Sequence, residues 1–349
     1  MDRRRFLTQA LGLAVGGVVW SACGGSKQLL QSGNTVASLA NNTLVIPNAP
    51  VAAAGEIAPF ITPQSKFFRI DTAIGSTPQL KVANWKLRIH GLVDKEVTLT
   101  MKDISSLPQV EHVITLGCVS NEIGGDLIGN ARWGGVLLSD VLKLAGVQKA
   151  ATQLASTSSD GWTCGTPVDA VLDGRPAMLA TSMNGEPLTA EHGFPIRMIV
   201  PGLFGYVSAT KWLTDLELTT WEDFEPYWLK RGWSAEGPML ASSRIDTPRV
   251  GDDIAAGEVA IGGLAWAPRA GVAKVEVQID EEPWRAAEVV PGGTGDTWAQ
   301  WRTKWNAPVG DHRIAVRVTD ADGVVQDEQV RPVAPSGATG YHFVKVTVV

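Results

Sequence analysis

Val113-Ile114-Thr115-Leu116-Gly117-Cys118 is a short apolar run that closes on a cysteine, followed at once by Val119-Ser120-Asn121. The run reads as a strand, so Cys118 sits on a loop at a strand end, presented by a rigid sheet. Two glycine-rich segments lie downstream, Ile128-Gly129-Asn130-Ala131-Arg132-Trp133-Gly134-Gly135 and Met183-Asn184-Gly185-Glu186-Pro187-Leu188. Then come His192-Gly193-Phe194-Pro195-Ile196-Arg197, Val200-Pro201-Gly202 and Lys211-Trp212-Leu213. A thiolate is a soft metal ligand, while imidazole, guanidinium and ammonium groups in Gly/Pro-rich loops suit a phosphate. Together they suit a phosphate-bearing cofactor whose metal is held by sulfur.

Strand signals begin upstream, near Trp85–Leu92, where apolar and polar residues alternate, and continue through Val97–Thr100. Leu137–Ala145 has helical spacing of its apolar residues, and Gly146 just past it is a glycine stop. Short strands, turns and few helices continue to about residue 220, which predicts an α+β catalytic domain over residues 59–233. After Trp233 the pattern changes to regular short strands: Val259–Gly262, Val272–Asp280, Arg313–Val318 and Val344–Val348. Turn residues at Pro291-Gly292-Gly293, Asp320–Gly323 and Pro335-Ser336-Gly337 punctuate them, predicting an immunoglobulin-like β-sandwich over 234–349.

The chain has 349 residues, 44% hydrophobic and 19% charged, enough for two domains with real cores. Its formal net charge of −6, with no long basic block, argues against nucleic acid as a partner. Three cysteines and no Cys-x-x-Cys disfavour a disulfide framework, a zinc ribbon or covalently attached haem. Cys164 reads as a small buried hydrophobe. The glycines between Gly124 and Gly135 are no nucleotide loop, because no Gly-Lys-[Ser/Thr] follows and the spacing does not fit Gly-x-Gly-x-x-Gly.

At the N-terminus, Arg3-Arg4-Arg5-Phe6-Leu7 leads an uncharged apolar stretch to about Ala22. A basic start with a short apolar core is a signal segment, and the twin arginine points to the export route for folded proteins. Trp20–Ser26 resembles a bacterial lipoprotein cleavage box, with Cys23 as the acylated residue and Trp20 in place of the usual Leu. The alternative is an uncleaved apolar anchor. Either reading expects residues 1–23 to hold the protein at the outer face of a cytoplasmic membrane, with residues 24–58 as a Ser/Asn/Gly/Ala/Pro-rich tether.

In their order, these segments resemble the sulfite oxidase family of molybdopterin enzymes, over about residues 60–349. The resemblance implies molybdenum and molybdopterin as cofactors, with Cys118 as the metal ligand. It places His192, Arg197 and Lys211 on the pterin and its phosphate, with backbone contacts from Ala209. Phe67-Phe68-Arg69 matches a third segment, Phe-x-Arg-Asn-His, at the mouth of the site, although Ile70-Asp71 stands here in place of Asn-His. Phe68 and Arg69 are thus cofactor-side candidates, Arg69 also a substrate-side one, and Ser158 is a further cofactor candidate. Read alone, Cys118 is also compatible with an inert buried thiol and Arg69 with an ordinary surface arginine. Val275-Glu276-Val277, Trp284, Gln300-Trp301 and Ala338–His342 look like the family's dimerisation domain, which implies pairing of two subunits.

Two departures bear on the substrate. Sulfite oxidases follow the metal cysteine with Ala-Gly-Asn-Arg-Arg, where this chain has Val119-Ser120-Asn121-Glu122-Ile123. They also place a Tyr two residues before the Met of Met-Asn-Gly, where this chain has Thr181. A carboxylate near a dianion's site repels it by about 1 kcal/mol even when exposed. The expectation is an exported molybdenum oxidoreductase that performs oxo transfer or two-electron redox on a small substrate, a sulfoxide or other oxide. With no haem domain in the chain, electrons would pass to or from a separate haem or quinone-linked membrane protein. The alternatives are a sulfite dehydrogenase that binds its anion through Arg69 and Arg132, and a non-catalytic extracytoplasmic binding scaffold.

Overall fold

A computed structural model describes residues 57–73 and 76–349. Residues 1–23, expected to be a signal segment or anchor, with Cys23, and most of the expected tether over 24–58 lie outside the described residues. The chain is mostly β, 42% strand and 10% helix, with four short helices among the described residues. The α+β expectation is therefore corrected. The helices are four to six residues long, too short to form a layer of their own, and they serve as corners between strands.

Strand β1 (Lys86–Gly91) pairs with β2 (Val97–Thr100), and the chain then turns through α1 (Met101–Ser106). Thr100 caps α1 reciprocally with Asp103, which fixes where the helix begins. β3 (Gln109–Gly117) and β4 (Ile128–Leu137) form a long antiparallel ladder, joined by the loop that carries Cys118. α2 (Leu138–Lys143) follows β4 and is stopped as its sequence predicts: Gly146 has φ +75° and its N–H reaches Leu142 O. Next come β5 (Gln153–Ser158), β6 (Thr163–Pro167), α3 (Val168–Leu172), β7 (Met178–Met183), β8 (Glu186–Pro187), β9 (Arg197–Ile199), α4 (Gly205–Ser208) and β10 (Leu213–Thr219).

These strands make two five-stranded sheets. One runs β2-β1-β10-β5-β6, with β1 parallel to β10; the other runs β3-β4-β7-β8, with β9 beside β7. A core of Leu87, Ile89, Leu154 and Leu216 from the first sheet meets Val136, Leu179 and Met198 from the second, with α2 contributing Leu138 and Leu142. Burying each such side chain stabilises the fold by about 1.5–3 kcal/mol. Gly135 must be glycine, because a Cβ there would lie 2.0 Å from Leu179 O where the β4–β7 register shifts.

The remaining strands are β11 (Ser242–Thr247), β12 (Asp253–Ile254), β13 (Gly257–Trp266), β14 (Val272–Ile279), β15 (Arg285–Val289), β16 (Ala299–Ala307), β17 (Gly310–Asp320) and β18 (His342–Val348). They form one eight-stranded path, β11-β13-β16-β15-β14-β17-β18-β12, which curls so that β11 lies against β17 and β18. Val275, Val277 and Trp301, quoted above for their likeness to a dimerisation domain, point into this sandwich's own core. Among the described residues no helix is long and apolar enough to cross a membrane.

Candidate active site

Cys118 sits where β3 ends, on a loop tightly folded on itself. Its N–H donates to Leu127 O at 2.9 Å, and Asn121 Oδ1 accepts from Leu127 N–H at 2.8 Å. Ser120 N–H donates to Cys118 Sγ at 3.4 Å. Burial pushes the thiol's pKa up, and contacts from Ser120 oppose that by favouring thiolate. Such a thiol is inert in the free chain and ionises when a metal takes it.

The sandwich braces this loop. Arg244 of β11 donates to Gly125 O at 2.8 Å while its Nε holds Asp246 at 2.7 Å. The His342 ring lies so close to Gly124 that a Cβ there would come within 2.2 Å of it. Further back, Thr115 N–H donates to Asp296 O and Thr115 Oγ1 accepts from Trp298 N–H, both at 2.8 Å. Between the two parts a narrow cleft reaches Cys118, lined by Glu122, Ile123, Met239, Leu240 and Trp266 among others.

His342 carries a testable consequence. Its Nδ1 accepts from Ile245 N–H at 3.0 Å, and burial, aided by Arg244, lowers its pKa to about 4. The unfolded chain protonates this group near 6.5 and the folded chain only near 4. This contribution to stability is therefore full above pH 6.5 and lost as pH falls toward 4, by roughly 3 kcal/mol. Melting curves across that range should show a steeper acid loss for the wild type than for His342→Gln; parallel curves would reject the assignment.

A second cluster gathers the cations. His192, Arg197 and Lys211 are each more than nine-tenths buried. Arg197 opens β9, its guanidinium 5.1 Å from the Trp133 ring centre and, among the described residues, with one bond, to His192 O at 3.2 Å. Its Nε is buried and unpartnered, and burial alone lowers its pKa to about 10, so it stays charged at neutral pH. Lys211 donates to Asp71 at 2.7 Å and to Glu191 O at 3.1 Å, with its Nζ 4.6 Å from the Trp212 ring centre. Burial lowers its pKa to about 8 even with Asp71 opposing. Asp71 also accepts from Arg69 Nε at 2.8 Å; burial favours its neutral form, but the two cations prevail and its pKa lies below the usual carboxylate value. His192 Nε2 faces Gln64 O at 3.0 Å and therefore carries the proton. Burial and Arg197 lower its pKa, so the ring is neutral near pH 7.

The other candidates adjoin these. Phe68 stacks on Phe67 at 5.1 Å, and Phe67 meets the Trp133 and His192 rings edge-on. Ser158 is buried and pairs across the ladder with Leu213, while Ser159 N–H donates to Trp212 O. Ala209 follows α4, whose Gly205 lies against Gly117 O, so this corner links the cation cluster to the cysteine's strand end. Arg69 is half exposed and held by Asp71 and Thr77; Arg132 is paired with Glu111 at 3.4 Å. Each of these two arginines is thus paired with a carboxylate, Arg69 sharing Asp71 with Lys211. Asp71 and the brace from Arg244 and His342 were not anticipated as site features. Asp71 is adjacent to a recognised segment but reaches its lysine across 140 residues, a separation without local signal.

The residue chemistry fits a phosphate-bearing molybdenum cofactor. Among the described residues no group of three or more His, Cys, Asp or Glu could hold a metal, so Cys118 would be a single protein ligand supplemented by the cofactor's own. A buried guanidinium without a counter-ion is costly unless an anion completes it, and a phosphate does so.

Comparison with known proteins agrees. Residues 74–228 match the family described as oxidoreductase molybdopterin binding domain. The uncharacterised oxidoreductase YuiH of Bacillus subtilis is 35% identical over 164 residues, covering 47% of this chain and 79% of that protein. Human mitochondrial sulfite oxidase is 26% identical, over 78% of this chain and 58% of its own length. The chain thus spans less than two thirds of that relative. The sulfane dehydrogenase SoxCD of Paracoccus pantotrophus shares the fold, with a TM-score of 0.72 at 23% identity, covering 87% of this chain and 86% of that one. The chain belongs to the sulfite oxidase family of molybdopterin-binding oxidoreductases.

Proposed function

We propose that this oxidoreductase reduces a small, weakly charged oxide, a sulfoxide or N-oxide, at the outer face of the cytoplasmic membrane. Two electrons come from a separate membrane partner, haem- or quinone-linked. The oxide takes up two electrons and two protons and leaves as the deoxygenated product and water. When bound, the molybdenum group supplies two-electron redox and oxygen-atom transfer. Cys118 holds the metal. Arg197, His192 and Lys211 hold the pterin and its phosphate, with Ala209 and Ser158 along the backbone and Phe68 and Arg69 at the mouth. Tethering through residues 1–23, with Cys23 as the lipid site, would keep the enzyme near its electron source, and two copies would pair through the sandwich.

The cleft at Cys118 carries the substrate reading. Its lining is largely apolar, with Glu122 as its acid and no lysine or arginine among the described lining residues. This lining offers a sulfite dianion no cation to bind, whereas a weakly charged oxide needs none. Purified holoprotein supplied with reduced viologen should turn over dimethyl or methionine sulfoxide with a higher kcat/KM than it shows for sulfite with an artificial acceptor. Equal or faster sulfite oxidation would refute the oxide assignment while leaving the family membership intact.

A further inference from the structure

Met239 and Gly117 meet in the wall of the cleft, and the glycine is shaped by the methionine. Met239 is buried, and its methyl group lies over Gly117, where an added Cβ would be 2.9 Å from Met239 Cε. The backbone of Gly117 does not require glycine: it ends β3 as strand and is not among the glycines with positive φ. The remaining neighbours of such a Cβ, Ile128 Cγ1 and Met239 Sδ, lie at 3.8 Å, ordinary van der Waals contact. The methyl missing at position 117 is therefore space taken by the methionine, directly before Cys118.

The backbone that carries Met239 is held. Its own N–H donates to Gly202 O at 3.0 Å, Phe204 N–H donates to Gly237 O at 2.8 Å, and Leu203 bridges Pro238 between them. This short antiparallel pairing sets both Phe204 and Met239 on the cleft, in one buried cluster with Val119, Ile128 and Trp266. Phe204 is backed in turn by Gly337 of the sandwich, where a Cβ would come within 2.9 Å of its ring. Methionine is an adaptable gap-filler, but here it fills a gap whose walls are packed and whose backbone is tied.

We propose that Met239 is a specificity-determining residue that fills the end of the cleft beside Gly117 and Cys118, so that one substituent of the oxide can be no larger than a methyl. The substrates selected are methyl sulfoxides and methylated amine oxides, whose other substituent extends toward the more exposed Asn121 and Glu122. The inference rests on the cleft being the site of an oxide substrate.

The test uses oxidised holoprotein and three sulfones as unreduced analogues, with Kd read by ligand-observed NMR. Wild type should bind dimethyl and ethyl methyl sulfone alike and diethyl sulfone about tenfold more weakly, the discrimination that one excess methylene in a tight apolar pocket gives. Met239→Ala should abolish that difference, and Met239→Val, a smaller truncation, should reduce it. Gly117→Ala/Met239→Ala puts a methyl back into the vacated space from the other side and should restore most of the wild-type ratio. An unchanged ratio in Met239→Ala and Met239→Val, both folded by Tm, overturns the proposal. So does a gain for diethyl sulfone that persists in the double variant, since looser packing and not the vacated space would then explain it. Turnover of dimethyl sulfoxide with reduced viologen separates the two levels of inference. If wild type does not reduce it, the oxide reading fails and this inference with it; if it does and the ratio is unchanged, the inference fails alone.

Discussion

Cys118→Ser is expected to lose molybdenum-dependent turnover by at least about two orders of magnitude, beyond what loss of an outer-shell partner costs. The chain itself should fold as before, because Cys118 Sγ has only weak contacts from Ser120, its N–H at 3.4 Å among them, and a serine oxygen fits the same space. What changes is the donor. A hydroxyl is a hard, weakly acidic ligand in place of a polarisable thiolate, and a softer metal centre loses most of that bond. Elemental analysis and visible absorption on matched preparations decide the matter. Wild type should contain stoichiometric molybdenum, whereas the variant should contain little or show a shifted spectrum with no turnover. Full metal content with unchanged absorption and activity in Cys118→Ser would remove the cysteine from the metal site.

Arg197→Met is expected to move stability and function in opposite directions. Among the described residues the buried guanidinium makes one bond, to His192 O, and has no carboxylate partner. Replacing an uncompensated buried charge with an apolar side chain of similar length should stabilise the cofactor-free protein by roughly 1–4 kcal/mol, seen as a rise of several degrees in Tm. Packing against Trp133 is retained by the methionine. The same change removes the cradle's unneutralised cation, so the variant should lose bound pterin during purification. Cofactor content by fluorescence after oxidative release, read beside Tm, tests both halves. A lower Tm in the variant would mean that Arg197 has an internal partner and is structural, not an anion anchor.

The features legible in the sequence were the local ones. The strand that ends on Cys118, the glycine stop at Gly146 and the stretch Val97–Thr100 each carry their reason within a few residues, in periodicity or backbone freedom. Helix content was overestimated because Leu137–Ala145 has helical spacing yet yields only six helical residues, Leu138–Lys143, before the chain turns. A periodic window shows that a turn of helix forms, but not that tertiary packing will let it continue. The site was legible as residue types and blurred as geometry. His192, Arg197 and Lys211 do cluster, yet nothing near Lys211 announces that Asp71 will be its partner, and nothing in β11 announces that Arg244 will hold Gly125. Long-range pairs of this kind depend on how two sheets and a sandwich meet, which no local pattern records.

The contact between Gly124 and His342 bears on timing. Chains are made from the N-terminus, and His342 is the first residue of β18, more than two hundred positions after the loop it abuts. When residue 228 has emerged from the ribosome, Cys118, His192, Arg197 and Lys211 all exist, but Arg244 and His342 do not. The peptide that displays the cysteine therefore receives its last wall only after β18 has been made, and the order of translation itself delays completion of the Cys118 loop's surroundings until the sandwich has closed.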